Sequence, residues 1–331
     1  MPLKPRQHPP VQPDRVAWPG TGKDRKVPER GALYSADVYQ GVPGIPRGMI
    51  KYLRVLAMDP KTYTTWAKTY NHSGPAITHI QEDGVKWILG TVPVEEDGSV
   101  HFKVPPGKAL HFQVLDEHYR ALQTMRTFTG VMPGEQRGCV GCHESHAAAP
   151  PKKRGIALGR PPAELTPPPW GNQSIGYERL VQPVLDRYCG ECHQGDGEAR
   201  ADLDLTFRPG HLMFNEPYLT LVGPRDRHDV GIAGAIKVEA YDINDPKSLA
   251  TLPPLTTLSY NSRLINLIMS GEHYDVALDP VSLHQLIGWV DANCPYRGDP
   301  KVRQVPDPYF PGIEWLPVRP RVSTAPVVLR P

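Results

Sequence analysis

The first half of the chain carries short runs in which apolar and polar residues alternate, as they do in β-strands with one buried face. Such runs lie at residues 49–58, 85–94, 99–105 and 109–117, and residues 120–131 can add one or two strands. The stretches EEDGS and PPGK between them favour tight turns. Short strands at this spacing predict a β-sandwich-like domain over residues 47–135.

Helical spacing replaces alternation from Ile175 onwards. The apolar positions there recur at helical intervals: Leu180, Val181, Val184, Leu185 and Tyr188. Pro183 is tolerated in the first turn of a helix, where its missing N–H costs nothing. We therefore expect a helix that starts near Gln182, or one that tolerates a kink.

Two further helices are predicted near the end of this region. Ser262 is a suitable N-cap for a helix over 262–271, which Gly271 would end. Asp279 and Pro280 form a typical start for a second helix over 279–294.

Proline content predicts a mixed, loop-rich fold. The 331 residues include 39 prolines, more than twice the average usage of about 5%. The expected organisation is an extended arm (1–46), the β-sandwich-like domain (47–135), a motif-bearing Pro-rich linker (136–170), a mainly α-helical domain (171–303) and an extended tail (304–331).

Charge and hydropathy exclude two classes of partner. With 37 Lys and Arg against 35 Asp and Glu, the chain has no strong net field that would favour nucleic acid. It contains no apolar run of about 18 residues, so no membrane span is expected.

Four of the five cysteines fall into two copies of one motif. Cys139, Cys142 and His143 form the first Cys-x-x-Cys-His, and Cys189, Cys192 and His193 form the second. This signature is typical of c-type haem attachment. The two thiols add to the two vinyl groups of a haem, and the histidine supplies the proximal nitrogen. We predict two covalently bound haem c groups, with His143 and His193 as iron ligands.

Zinc and thiol redox chemistry are the alternatives to haem. A Cys₄ zinc site usually separates its two Cys-x-x-Cys pairs by about 15–20 residues, whereas 46 residues (143–188) intervene here. A thioredoxin-like motif would open a helix after a strand, which neither copy is expected to do. The fifth cysteine, Cys294, ends a predicted helix with an apolar face and is expected to be a small buried residue.

Haem attachment also bears on location. Thiols are joined to haem outside the cytoplasm, so a periplasmic or extracellular protein is expected. The N-terminal stretch has no apolar segment of the signal-peptide kind. We therefore expect Met1 not to be the start of the native precursor.

For the second haem, the sequence indicates a candidate for the sixth iron ligand. An electron-transfer haem usually holds two axial ligands, whereas a catalytic haem leaves one position open. His273, just after a predicted helix, is the preferred partner of His193. The alternatives are His211, His228 and His284, and packing is the expected role of His284.

Longer stretches resemble a known family. The segment from VKWILGTVPV to RGCVGCHES resembles the middle domain and first haem motif of the hydrazine synthase alpha subunit family. VQPVLDRYCGECHQGD and SRLINLIMSGEHYDVALDP resemble the cytochrome domain that ends those chains, so the resemblance covers roughly residues 30–300. It implies a bis-histidine second haem at His193 and His273, and an upstream β-propeller or other subunits as partners.

The same resemblance leaves the iron ligands of the first haem open. In hydrazine synthase a tyrosine four residues past the motif histidine binds iron, and the histidine binds zinc; here that position is Ala147. His143 then reverts to the proximal role. Its opposite side is either open or filled by one residue of this set: His146, His118, His111, Met125 or Met132.

Two functions follow from these expectations. The first is electron transfer between the haems and a redox partner protein. The second is an oxidoreductase that acts on peroxide or a nitrogen oxide at an open first haem, where the nearby donors are Arg126, Arg137, Tyr119 and Glu144. A third, non-catalytic possibility is a β-domain that docks a partner.

Overall fold

Two β-sheets form the N-terminal half of the protein. The structure, a computed structural model, describes residues 29–59, 77–80, 84–142, 154–211, 214–223, 231–236 and 251–298. Its strands are β1 (Gly31–Ser35), β2 (Tyr52–Asp59), β3 (Val85–Pro93), β4 (Val100–Val104), β5 (Ala109–Leu115), β6 (Ala121–Thr124) and β7 (Gln136–Cys139). They are ordered β4-β1-β7 in a three-stranded sheet and β3-β2-β5-β6 in a four-stranded sheet. The predicted β-domain is thus confirmed.

A shared hydrophobic core holds the two sheets together. Leu33 and Phe102 from the smaller sheet and Val55 and Val114 from the larger one belong to a single buried cluster. Because side chains alternate along a strand, Leu53, Val55 and Ala57 of β2 point into this core, while Arg54 and Leu56 point the other way. Strand β2 is buried on both faces because a second layer covers the larger sheet.

Residues 29–46 differ from the predicted extended arm. Strand β1 lies in the middle of the smaller sheet, antiparallel to β4 and parallel to β7. Val38 and Val42, which follow β1, are buried in the core at 0% and 2% exposure. The arm was predicted from Pro, Gly and charged residues, but pairing with strands far along the chain decides the conformation of this short segment.

Helices form the second half. They are α1 (Tyr177–Leu180), α2 (Gln182–Tyr188), α3 (Gly190–His193), α4 (Glu216–Val222), α5 (Leu258–Asn261), α6 (Arg263–Ser270) and α7 (Pro280–Asp291). As expected, the helix is interrupted at Val181, and α2 begins at Gln182 with a proline in its first turn. The predicted helix caps are also confirmed. Ser262 accepts from the Ile265 N–H, Gly271 is left-handed, and Asp279 accepts from the Val281 and Ser282 N–H groups.

An aromatic cluster forms the core of this helical half. Ring pairs at centre distances between 4.9 and 6.4 Å link five of its members: Tyr177, Phe214, Tyr218, Trp289 and Tyr296. Cys294 is fully buried beside them, as predicted. Leu56 and Ile88 of the larger sheet belong to the same cluster. The helical layer therefore packs directly on the outer face of the β-domain.

Candidate functional site

A helical segment carries the second Cys-x-x-Cys-His motif. Helix α2 leads into Cys189, whose N–H donates to the Leu185 carbonyl at 2.8 Å. Helix α3 ends at His193, whose N–H donates to the Cys189 carbonyl at 2.9 Å. The hydrogen-bond pattern of a helix thus continues through the motif, and Cys189, Cys192 and His193 lie on one helical turn.

The orientation of His193 is set by a backbone carbonyl. Its Nδ1 lies 2.9 Å from the carbonyl oxygen of Leu203. A carbonyl oxygen can only accept, so Nδ1 carries the proton and Nε2 presents its lone pair. Metal-bound histidines are characteristically oriented in this way. The sequence offered no signal for Leu203, because the partner is a main-chain atom.

His273 lies opposite His193. The two ring planes are within 17° of parallel and their centres are 6.1 Å apart. Imidazole nitrogens bind metal ions such as zinc at about 2.0 Å, so two imidazoles on opposite sides of one ion have centres about 6 Å apart. The described residues therefore fit a bis-histidine metal site at this position.

A tight turn holds His273 in place. The Val276 N–H donates to the His273 carbonyl at 3.0 Å, and the two residues between them, Tyr274 and Asp275, have φ of 50° and 56°. Two central residues with positive φ are the mark of a type I′ turn. Non-glycine residues adopt this conformation at an energetic cost, so the surrounding structure constrains this connection between α6 and α7.

A side-chain contact ties this connection to the motif helix. The Tyr188 hydroxyl at the end of α2 donates to the Asp279 carboxylate at 2.7 Å. Asp279 also caps α7, and these bonds, led by the one from Tyr188, hold the pKa of Asp279 well below its usual range. The two elements that carry His193 and His273 are therefore linked directly.

The alternative histidines lie elsewhere. His211 is exposed, and His284 packs between the rings of Tyr119 and Trp170, the packing role expected for it. His228 lies outside the described residues. Of the histidines described, His273 is thus the one that the structure brings against His193.

Two of the motif cysteines lack the low pKa that is typical of thiol redox chemistry. None of the four forms a disulfide, and all have intermediate exposure. Burial raises the pKa of Cys142 to about 12 and that of Cys189 to about 11. Redox-active cysteines instead have a lowered pKa, so this observation disfavours the thioredoxin-like alternative.

The first motif begins on a strand of the smaller sheet. Cys139 is the last residue of β7, which pairs with β1, and the following loop carries Gly141 and Cys142. This differs from the predicted linker, since residues 136–139 belong to the β-domain. A Cβ atom on Gly141 would lie 2.4 Å from the Gln40 carbonyl oxygen. Glycine is therefore required for the loop to pack so closely.

A cavity of about 380 Å³ adjoins both cysteines of this motif. Its walls come from the inward faces of the two sheets and from the segment 123–129, which begins in β6. Most of the lining is apolar and includes Leu33, Phe102 and Phe112. The cavity thus offers an apolar chamber beside the thiols, and its position could not be inferred from the sequence.

The other residues considered for the first motif fall into three groups: those that line the cavity, those that do not, and those outside the described residues. Met125 and Arg126 line the cavity. His111 lies on β5 between Leu110 and Phe112 and, by alternation, on the face away from the cavity. A further set does not line the cavity: His118, Tyr119, Met132 and Arg137. A last set lies outside the described residues: His143, Glu144, His146 and Ala147.

The described residues do not gather into another kind of metal centre. Within those ranges no group of three or more His, Cys, Asp or Glu side chains is placed to hold a metal ion. The two cysteine pairs pack against different hydrophobic clusters, Cys139 and Cys142 against the sheet core and Cys189 against the helical core. This placement disfavours a shared Cys₄ zinc site. In the same part of the chain, no helix has the length and apolar character needed to cross a bilayer.

The class of protein is defined by these features: a two-sheet domain followed by a helical domain, each with a Cys-x-x-Cys-His motif. Residues 48–144 match the family described as the hydrazine synthase alpha subunit middle domain. The resemblance of the chain to the hydrazine synthase alpha-like family is confirmed by this match, which reaches past the first motif.

A solved structure supports the same fold. The chain is similar to Kuenenia stuttgartiensis hydrazine synthase, with a TM-score of 0.57 and 15% sequence identity over 82% of this chain. The match covers 43% of that chain, so this protein spans less than half of its length. No curated protein is a significant match.

Proposed function

We propose that the protein is a dihaem c-type cytochrome of the hydrazine synthase alpha-like family that transfers electrons between its haems and a partner. The observation that carries this proposal is the pair His193 and His273, with parallel rings 6.1 Å apart and Nδ1 of His193 bound to a carbonyl. Two histidine ligands would leave the iron of a bound haem without an open position, which suits electron transfer.

In this proposal Cys189 and Cys192 hold the second haem covalently, and His193 and His273 bind its iron. The bound group supplies a one-electron couple. His193 is 9% exposed, and its partner Leu203 packs against the helical core, so the protein would limit the access of water to this ligand. Its Leu203 contact fixes the tautomer and strengthens the histidine as a ligand.

Cys139, Cys142 and His143 would hold the first haem, beside the cavity that both thiols adjoin. This cavity also supports a second candidate function, an oxidoreductase acting on peroxide or a nitrogen oxide. Its walls leave space beside the thiols, and Arg126 can donate hydrogen bonds to a small ligand.

We further propose a periplasmic or extracellular location, because haem c is attached there, and a redox partner protein. An upstream propeller or other subunits remain part of the proposal, in keeping with the length of the solved relative.

Haem content is the first test. We expect two haems per chain in a pyridine haemochrome assay, and mass spectrometry of the denatured protein should show both covalently retained. The C139S/C142S and C189S/C192S variants should each lose one haem. A chain that binds no haem when expressed with a haem-attachment system would overturn the proposal.

The coordination of the second haem is the sharper test. We expect the wild-type protein to show a six-coordinate low-spin haem in absorption and EPR spectra. H273A should convert one haem to a high-spin or exogenously ligated form, and H211A should not. An unchanged spectrum in H273A would exclude His273 as the ligand.

Small ligands separate the two functions. In the wild-type protein, a haem that binds cyanide or carbon monoxide rapidly, and persists in the C189S/C192S variant, would favour an open first haem. Two haems that both resist these ligands would favour electron transfer.

A further inference from the structure

A second cavity, of about 190 Å³, lies where the β-domain meets the helical layer. Strands β2 and β3, the Pro-rich segment 166–170 and helix α7 form its walls. Its lining includes one arginine and three aromatic side chains: Arg54, Tyr119, Trp170 and His284. None of these belongs to either Cys-x-x-Cys-His motif.

Two buried donors in this wall have no hydrogen-bond partner among the described residues. They are Nε of Arg54 and Nε1 of Trp170, in side chains of residues that are 0% and 9% exposed. The other guanidinium nitrogens are used: Nη1 donates to Asp291 and Gln113, and Nη2 to the Tyr119 carbonyl. Unsatisfied buried donors are uncommon, and each calls for an explanation such as a bound ion or water that accepts from it.

His284 gives the cavity a group that can change charge. Its ring centre lies 4.5 Å from that of Tyr119 and 5.9 Å from that of Trp170. Burial, with a smaller contribution from Arg54, lowers the pKa of His284 to about 4. The imidazole is therefore neutral at pH 7, and the charge of Arg54 is balanced by Asp291 at 2.6 Å.

We propose that this cavity binds a small monovalent oxyanion of the size of formate or acetate, which accepts hydrogen bonds from Arg54 Nε and Trp170 Nε1 beside His284. Two N–H donors suit two carboxylate-like oxygens, and a hydrogen bond from the Arg54 guanidinium to such an oxygen is charge-assisted. The flanking aromatic rings of Tyr119 and Trp170 limit the ligand to a compact, flat shape.

Binding of the anion should take up a proton. The charged and titratable groups around His284 are Arg54 on β2, Tyr119 before β6 and Asp291 on α7. Burial raises the pKa of Tyr119, so this phenol stays neutral. Burial also raises the pKa of Asp291, an effect that the charge of Arg54 opposes. An added anion opposes the effect of Arg54 and raises the pKa of His284. Affinity should therefore increase as the pH falls from 7 to 5, by up to about tenfold per unit.

Indole N–H signals provide a direct test. The chain has six tryptophans, and ¹⁵N-labelled indole groups of the reduced holoprotein can be followed during titration with sodium formate. We expect the signal that is lost in W170F to shift with formate. W87F is the matched control, because Trp87 Nε1 also lacks a partner among the described residues but does not line this cavity.

Affinity measurements complete the test. W170F should weaken formate binding about tenfold or more, since it removes one donor to a charged acceptor, while W87F should leave it unchanged. H284Q should bind formate with little dependence on pH. A Trp170 signal that does not respond, or equal binding by W170F and the wild type, would show that only water fills the cavity. The outcome is independent of haem content, which is measured separately.

Discussion

Gly141 has no Cβ atom, and this absence lets the loop of the first motif pack against the Gln40 main chain. We expect G141A to lower the free energy of unfolding by about 1–3 kcal/mol, because its Cβ would overlap the Gln40 carbonyl. The change should also reduce haem attachment at the first motif. Chemical denaturation and haem stoichiometry measure the two effects.

Gly138 provides the control for this prediction. It lies three residues earlier on β7, and a Cβ there would meet its nearest atom, in the ring of Tyr34, at 3.7 Å, an ordinary contact. G138A should therefore leave haem attachment unchanged. Equal losses in both variants would show that the strand, rather than the Gln40 contact, limits attachment.

The sequence allowed prediction of site residues whose side-chain chemistry is distinctive. It did not allow prediction of main-chain acceptors or of the residues that line a cavity. The spacing of the motif indicates Cys189, Cys192 and His193 directly, and the position of His273 after a capped helix made it the preferred partner. Nothing in the sequence points to the Leu203 carbonyl or to the cavity beside Met125. A main-chain acceptor has no residue signature, and a cavity depends on how two sheets pack.

Among the elements, local signals were sufficient for helices and insufficient for short strands. Ser262 and Asp279 act within one turn of the chain, so their capping roles could be predicted from neighbouring residues. Strands β1 and β7 have few residues, and their pairing joins segments about a hundred residues apart. Tertiary pairing determines such strands, which explains why the arm and linker predictions missed them.

The start of helix α7 depends on Asp279. We expect D279A to lower stability by about 1 kcal/mol, since its carboxylate caps two N–H groups and accepts from Tyr188. E272A is the control, at an exposed acidic residue in the same connection. Comparable destabilisation by E272A would show that the loss of a negative charge in this connection, rather than the loss of the N-cap, lowers the stability.

The pH dependence of this cap has a definite sign. The pKa of Asp279 is lowered in the folded protein, so its contribution is present above its unfolded pKa of about 3.9. It is lost as the pH falls through the lower folded pKa. Urea denaturation of wild type and D279A should therefore give curves that differ at pH 7 and converge towards pH 2.

At the scale of the whole molecule, the β-domain and the helical layer pack directly against each other. The predicted Pro-rich linker between them gave no reason to expect so broad a contact. Leu56 and Ile88 point from the larger sheet into the helical core. Gln113 Nε2 and Lys86 Nζ donate to the carbonyls of Asp291 and Ala292 at the end of α7. The alternating pattern of β2 indicated one buried face, and the second could not be inferred because the helices that cover it lie over a hundred residues away.

At the centre of this contact lies the Arg54–Asp291 ion pair, whose side chains are 1% and 0% exposed. Asp291 also accepts from the Ala121 and Ser259 N–H groups. Removing one partner leaves the other charged and buried, so R54M and D291L should each cost about 3–5 kcal/mol. Denaturation monitored at the haem and by far-UV circular dichroism measures this cost.

The double variant R54M/D291L tests whether charge or packing joins the two halves. Replacing both partners removes the uncompensated charge but leaves the Ser259 N–H without its acceptor, while the Ala121 N–H keeps the Ser259 hydroxyl oxygen. We therefore expect it to lose less than the sum of the two single variants, with a coupling of about 1–3 kcal/mol. Additive losses would mean that the charges do not interact. If haem and circular dichroism report one coincident transition in the wild type and two in D291L, the ion pair is what makes the β-domain and the helical layer unfold together.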